Sequence, residues 1–331
     1  MSELRQDLVS GDWVISAPER AKRPELFGQK RNVRKVLPRS TCPFEPETIK
    51  KSSANWPPIL SYPNEKNWKV IIAANKYPAL KHFAGCSVDF RHGPNAVKTG
   101  VGNHDLLITR DHKKNFADLP LDEAAEALFL LQERYKELAK DKCNFYTSTF
   151  FNWGSSAGAS VYHPHYHILT LPIIPPDVAH SLDGSKKYFE THKRCVHCVI
   201  LSFDLKEKKR IIDKNKHSVS LAPFVSRSPF EIRIFPLRHH ARFEDTPKNE
   251  LKAVTDILQK ALKRIKINLK DPDLNFFIHT SPLKDRKYNY YHWHIEIIPK
   301  IVIFGGFELS TGVEINVVDP ENAASILKGR R

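Results

Sequence analysis

The sequence predicts an α+β fold made of two similar modules, each a mostly antiparallel sheet with one long helix packed on it. Three observations predict it. The chain has 331 residues, about twice the roughly 150 of an ordinary domain. Two stretches carry helical apolar spacing, and each is followed by an aromatic, β-branched run that leads to a cluster of histidines. A cysteine motif opens each half. A repeat near 150 residues is too long for a solenoid and indicates two similar domains facing each other, residues 1–180 and 181–331.

The first module opens at Cys42-Pro-Phe-Glu45 and runs through strand-like segments to His104. Its helix spans Leu121 to Lys140, where Ala124, Leu128, Leu131 and Tyr135 recur at spacings of three and four, with Asp118 or Asp122 as the cap. The run from Asn144 to Trp153 has strand composition and precedes His163-Pro-His165-Tyr-His167. The proline-rich stretch Pro172 to Ser185 reads as a hinge loop, which puts the boundary near 180.

The second module opens at Cys195-x-x-Cys198 and continues to His239. Its helix spans Pro247 to Ile267, with Leu251, Val254, Ile257, Leu258, Leu262 and Ile265 as the apolar stripe. Thr246, Pro247 and Glu250 supply a cap, a first-turn proline and a box glutamate. The strand Asn275 to Ser281 then leads to His292-Trp-His294-Ile-Glu296.

Composition narrows the chemistry. With 41% hydrophobic and 27% charged residues the chain can build a core. A polar N-terminus and the lack of an apolar run near 18 residues argue against a membrane span, and five cysteines argue against a secreted disulfide scaffold. A cytoplasmic setting fits. The net charge of +15 favours anionic partners. Its basic residues are scattered, with Lys206 to Arg210 the one compact run, read as a solvated hairpin or loop, so no nucleic-acid partner is expected.

The strongest local signal is the small-residue segment from Ser155 to Ser160 followed by His163, His165 and His167. Small residues let backbone N–H groups approach a phosphate, and alternation along a strand puts the three imidazoles on one face. A histidine beside a nucleotide phosphate can attack phosphorus and form a covalent nucleotidyl-histidine, which divides one displacement into two. That chemistry needs an acceptor for the Nδ1 proton, usually a backbone carbonyl, so that Nε2 faces phosphorus.

These residues resemble the galactose-1-phosphate uridylyltransferase family, a double-domain branch of the histidine-triad superfamily. The likeness extends through Trp13 to Pro24, Asn75 to Leu80, Gly102-Asn-His104-Asp, His292 to Glu296 and Gly305 to Gly312. Two of these segments also look like the branch that contains the plant ADP-glucose phosphorylases. The resemblance implies that His165 is the nucleophile and Ser160 a phosphate contact. It implies that Asn152 lies in the nucleotide pocket, that Asn75 falls where base and ribose are held, that Arg20 and Arg23 lie near the phosphates, and that Glu308 binds sugar hydroxyls. One position departs. Where the family has glutamine two residues after the nucleophile, this chain has His167. A glutamine amide stays neutral, whereas an imidazole can gain a proton and act on a leaving group or water.

Cys195 and Cys198 with His239 and His292 make a tetrahedral zinc set without an open position, hence structural, and the resemblance puts ligands there. Glu296 is the candidate outer partner of its histidines, and His197 is expected to point outward. The first-module counterpart is Cys42, Glu45, His104 and His163, a looser set because a carboxylate replaces a thiolate. Cys86 and Cys143 are read as ordinary thiols.

The leading reading is a ping-pong transferase. His165 takes UMP from UDP-glucose, releases glucose 1-phosphate and passes UMP to galactose 1-phosphate, in a homodimer. The alternative within enzymes is an ADP-glucose phosphorylase-like or hydrolytic reaction, with phosphate or water as acceptor. A zinc scaffold without activity conflicts with the presence of His165, Ser160 and Asn152 together.

Overall fold

The computed structural model describes residues 1–22, 34, 36–52, 55–284 and 287–329. The chain starts with a hairpin, β1 (Glu3–Gln6) and β2 (Trp13–Ser16), followed by α1 (Pro46–Ser52). Next come β3 (Pro58–Tyr62) and β4 (Val70–Ala74), an exposed hairpin of β5 (Asp89–His92) and β6 (Asn95–Lys98), and β7 (His104–Thr109). Helix α2 (Leu121–Leu138) crosses to β8 (Tyr146–Trp153) and β9 (His165–Leu171). Helices α3 (Pro176–His192) and α4 (Val196–Glu207) lead to β10 (Ile211–Lys214), β11 (Ser218–Leu221) and β12 (Ile232–Pro236). Helix α5 (Lys248–Asn268) crosses to β13 (Leu274–His279) and β14 (His294–Pro299). The described chain closes with α6 (Gly306–Thr311), β15 (Ile315–Asn316) and α7 (Pro320–Leu327).

The fold is α+β, and its two halves share one sheet. Ten strands run in the order β10-β11-β12-β14-β13-β8-β9-β7-β4-β3. Counted outward from the central β8–β13 pair, corresponding strands follow in the same order on both sides, which defines a pseudo-two-fold axis. That pair is antiparallel, with Phe151 opposite Phe276. The expectation of two modules facing each other is therefore corrected. They lie edge to edge, because an unpaired β8 or β13 edge would leave backbone groups without partners.

Helices α2 and α5 pack together on one face of this sheet. The stripes read from sequence are the buried ones, including Ala124, Leu128, Leu131 and Tyr135 in α2 and Leu251, Val254, Ile257, Leu258, Leu262 and Ile265 in α5. Two buried glutamines repeat the pseudo-symmetry. Gln132 of α2 donates to the carbonyls of Phe243 and Thr246 before α5, each at 2.9 Å. Gln259 of α5 donates to Phe116 and Leu119 before α2, at 2.8 and 2.9 Å. A second apolar cluster, with Phe44, Trp56, Trp68, Ile71, Leu106 and Ile108, covers the opposite face of the first half. No described helix is long and apolar enough to cross a membrane.

Several local expectations change. Residues 176–185 are the start of α3, not a loop, because Pro176 occupies the first turn, where a missing N–H costs nothing. The expected boundary near 180 thus falls inside a helix. The caps also differ. Asp118 and Asp122 are drawn to Lys266 and Lys252 of α5, at 3.0 and 2.6 Å, and Pro120 precedes α2 without a side-chain cap. Thr246 accepts from the Trp293 indole at 2.8 Å, and Glu250 pairs with His240 and Arg238 at 2.8 and 3.1 Å, so neither caps α5. Arg210 is buried between Asp204 and Glu321, so it does not belong to a solvated basic run. Cys86 and Cys143 form a disulfide that ties the β5–β6 region to the turn before β8.

Candidate active site

Strand β9 supplies the centre of the site. It is flanked by β7 and β8, and antiparallel register puts His165 opposite Ile108 and His167 opposite Leu106 and Phe150. Residues opposite each other share a face, so His165 and His167 lie on the face away from α2 and α5, beside the Phe44 cluster. His163 precedes the strand, and its ring turns into a different group, while its backbone carbonyl accepts from His165 Nδ1 at 2.9 Å. That contact fixes the tautomer. The proton is on Nδ1 and the lone pair on Nε2. Burial pushes the His165 imidazole below its ordinary range, partly offset by that carbonyl, and so keeps the ring neutral near pH 7.

The His167 ring stacks on Phe150, with centroids 4.7 Å apart and planes 10° from parallel. Its Nδ1 is 3.0 Å from Nε2 of His104. His104 in turn accepts the Ala79 N–H on Nδ1 at 3.0 Å. Burial, then the neighbouring imidazoles of His165 and His104, brings the His167 pKa down to about 4. Asn75 follows β4 and sets its amide nitrogen 3.2 Å from His104 Nε2, while its Oδ1 accepts from Tyr77 N–H.

The small-residue loop is folded back on itself. Ser156 N–H and Oγ bind Asp273 Oδ2 at 3.0 and 2.6 Å, and the N–H groups of 157, 158 and 159 bind carbonyls of Gly154 and Ser155. Those amides are therefore not a phosphate cradle. Gly154 is obligatory here. It has φ +87°, and a Cβ would stand 1.8 Å from Asp273 Oδ1. Ser160 is exposed at the loop's end, and Asn152 accepts from Asn275 at 2.8 Å. Arg20 is exposed, Arg23 lies outside the described residues, and Glu308 binds the Gly305 N–H of its own helix at 2.9 Å.

Cys42, Glu45, His112 and His163 converge, with ligand atoms all within 4.8 Å of one another. His163 Nε2 donates to Thr109 O at 2.6 Å and His112 Nε2 to Leu37 O at 2.8 Å, which leaves both Nδ1 lone pairs inside the group. Glu45 Oε1 and His112 Nδ1 are buried 2.6 Å apart, and with the His112 proton on Nε2 no hydrogen lies between them. Converging lone pairs of this kind fit a cation. His104 is the correction, since both its nitrogens are engaged elsewhere and His112 takes the expected place. His112 stands three residues past β7 and His239 three past β12, so these two are the true counterparts. The pattern of two apolar strands each followed by histidine allowed either pairing.

In the second half Cys195, Cys198 and His239 form the corresponding group. Cys198 Sγ is 3.2 Å from His239 Nδ1 and 3.5 Å from His292 Nδ1, so all four expected residues are together. The Cys198 hydrogen bond lowers the Cys195 thiol and raises that of Cys198, so the pair shares a proton and Cys195 is the thiolate poised for a cation. His197 is buried against Tyr291, Phe235 and His294 and does not point outward. Glu296 pairs with Arg233 and His279, each at 3.4 Å, and does not reach the histidines of the Cys195 group. His294 repeats the geometry of His165, with Nδ1 3.1 Å from His292 O, and lines a cavity of about 670 Å³ with Arg227, Arg233, His279 and Glu296. Sequence reasoning missed this cavity; the alternation of His292, His294 and Glu296 was the available signal.

Residues 94–328 match the family described as Domain of unknown function (DUF4921). Over 333 residues the chain is 36% identical to ADP-glucose phosphorylase of Arabidopsis thaliana, covering 98% of this chain and 92% of that protein. It is 25% identical over 338 residues to galactose-1-phosphate uridylyltransferase of Thermotoga maritima, covering 99% and 98%. The crystal structure of an ADP-glucose phosphorylase from Arabidopsis thaliana with bound ADP-glucose matches with a TM-score of 0.83 at 33% identity, covering 99% of both chains. A uridylyltransferase structure matches with a TM-score of 0.77 at 24% identity over 100% and 98%, a likeness of fold alone.

Proposed function

The chain belongs to the galactose-1-phosphate uridylyltransferase family, and from that premise we propose that it moves a nucleotidyl group from a nucleotide sugar to inorganic phosphate through His165, with ADP-glucose as the first donor to test. Membership supports nucleotidyl transfer or phosphorolysis as the general activity. The observation that carries the site is the 2.9 Å contact between His165 Nδ1 and His163 O, which leaves the Nε2 lone pair for phosphorus.

In the first half-reaction Nε2 attacks the α-phosphorus of the nucleotide sugar. The P–N bond forms, the bridging P–O bond breaks, and sugar 1-phosphate leaves with the electron pair. In the second, a phosphate oxygen attacks the same phosphorus, the P–N bond breaks and a nucleoside diphosphate departs. Ser160, Asn152, Asn75, Arg20, Arg23 and Glu308 are proposed to hold phosphates, base, ribose and sugar as the family resemblance implies. Zinc is the proposed ion at both convergent groups. Cys195, Cys198, His239 and His292 would hold one, and Cys42, Glu45, His112 and His163 the other, whose role is to fix the His163 ring and hence the carbonyl that orients His165. A cytoplasmic homodimer completes the reading, and light scattering checks the mass in solution.

The test is intact-protein mass measurement after mixing with ADP-glucose or UDP-glucose. The expected result is an acid-labile nucleotidyl adduct on the wild type, absent from His165→Ala and discharged by phosphate alone. An adduct on His165→Ala would refute the reading. A second reading, hexose-1-phosphate uridylyltransferase, is favoured by the full-length likeness to the Thermotoga enzyme. It predicts an adduct from UDP-glucose that galactose 1-phosphate discharges and phosphate does not.

A further inference from the structure

Whether His167 gives or takes a hydrogen bond depends on where its single proton sits, and that choice is made by its neighbours. Ala79 N–H donates to His104 Nδ1 at 3.0 Å, so that nitrogen holds a lone pair and the proton of the neutral His104 ring is on Nε2. His104 Nε2 faces His167 Nδ1 at 3.0 Å. The amide nitrogen of Asn75, 3.2 Å from the same Nε2, is also a donor and makes no hydrogen bond to a protonated Nε2; the Ala79 backbone N–H, which cannot turn away from Nδ1, decides the tautomer. His167 Nδ1 is therefore an acceptor, and its own proton is on Nε2. Phe150 stacks on the ring and fixes its plane. His104 and His167 are diagonal neighbours on one face of the β7–β9 pair, so the sheet register sets the contact.

We propose that His104 is a positioning residue whose Nε2–H locks His167 into the tautomer that offers Nε2–H to a phosphoryl oxygen, making His167 a neutral hydrogen-bond donor in place of an acid or base. The inference rests on His165 as nucleophile, whose ring centroid is 5.0 Å from that of His167. It accounts for an imidazole beside a reacting phosphate that need not change its charge. Burial acts in the same direction, holding both His104 and His167 below the ordinary imidazole range.

A double-mutant cycle separates this role from general support of the fold. A glutamine amide donates without choosing a tautomer. His104→Ala should therefore slow adduct formation about tenfold in the wild-type background and less than twofold in a His167→Gln background, with the loss in the rate of adduct formation and not in donor KM. Nitrogen-15 chemical shifts of His167 give a second readout on the unsubstituted protein. They should show a protonated Nε2 and an unprotonated Nδ1, with the two forms mixed in His104→Ala. Equal slowing in both backgrounds, or a wild-type His167 protonated on Nδ1, would overturn the inference. If the wild type forms no adduct, the nucleophile reading fails, and the nitrogen shifts still decide the tautomer.

Discussion

Replacing Gly154 with alanine separates a loop held by its backbone from one that can yield. Gly154 has φ +87° and ψ 161°, a region essentially confined to glycine, so a side chain there costs on the order of 1–3 kcal/mol. The added Cβ would also stand 1.8 Å from Asp273 Oδ1 and 2.0 Å from its Cγ, so the carboxylate has to swing away. It would then lose the Ser156 N–H and Oγ bonds and the 2.9 Å contact from Arg34 Nε. Water replaces part of that loss because Ser156 is exposed, leaving about 1–2 kcal/mol. The total for Gly154→Ala is about 2–5 kcal/mol, read from urea unfolding, whereas Asp273→Ala removes only the second part and costs about 1–2 kcal/mol. Adduct formation should fall with Gly154→Ala, because Ser160 and Asn152 are attached to the displaced loop. Gly154→Ala within about 0.5 kcal/mol of wild type would refute the argument.

His112→Ala should lower bound zinc by one equivalent in elemental analysis while His104→Ala leaves it unchanged; the reverse outcome would restore the ligand set read from sequence. With His167 held at about 4 in the folded chain against about 6.5 when unfolded, the unfolded state binds the extra proton in between. Stability from this group is therefore complete above pH 6.5 and declines as pH falls toward 4, by about 1–2 kcal/mol once its solvated edge is discounted. His167→Gln should flatten the wild-type acid limb by that amount, and parallel urea midpoints for the two proteins would contradict it. Cys143→Ser opens a link between residues 57 apart and should cost up to about 4 kcal/mol, with non-reducing peptide mapping as the direct check on the bond. Gln132→Ala leaves the buried Thr246 carbonyl unpaired while Phe243 O keeps the Thr246 N–H at 3.2 Å, whereas Gln259→Ala takes the side-chain donor from both Phe116 and Leu119, so the first should cost about 1–3 kcal/mol and the second about 2–4 kcal/mol in urea unfolding.

Much of the architecture was readable because periodicity reports burial. The stripes of α2 and α5 and the alternation in β8 and β9 are direct records of which side meets the core. The repeat of cysteine motif, helix, strand and histidines also carried the duplication. Its geometry was hidden, because whether two halves face each other or share a sheet depends on strand edges, and β8 reads the same whether its neighbour is β13 or solvent. The His104 and His112 exchange has a similar cause. Both stand at an end of the same apolar strand, and the carbonyls and carboxylate that sort them come from Leu37 and Glu45, far away in sequence. The helix at 176–192 was obscured by prolines that signal a start as readily as a break. The disulfide partners have no spacing rule, since 57 residues of chain intervene.

The antiparallel match of β8 with β13 bears on ancestry. A solitary half would carry a bare inner edge, and the natural complement to that edge is a second copy of the same half turned around. Tethering the copies on one polypeptide makes their encounter independent of concentration and frees one of them to drift. The imidazole at 294 retains the backbone clasp of its twin at 165 but now lies among Arg233, His279 and Glu296. Fragments severed in the short link between α3 and α4 should for the same reason seek each other out and reassemble.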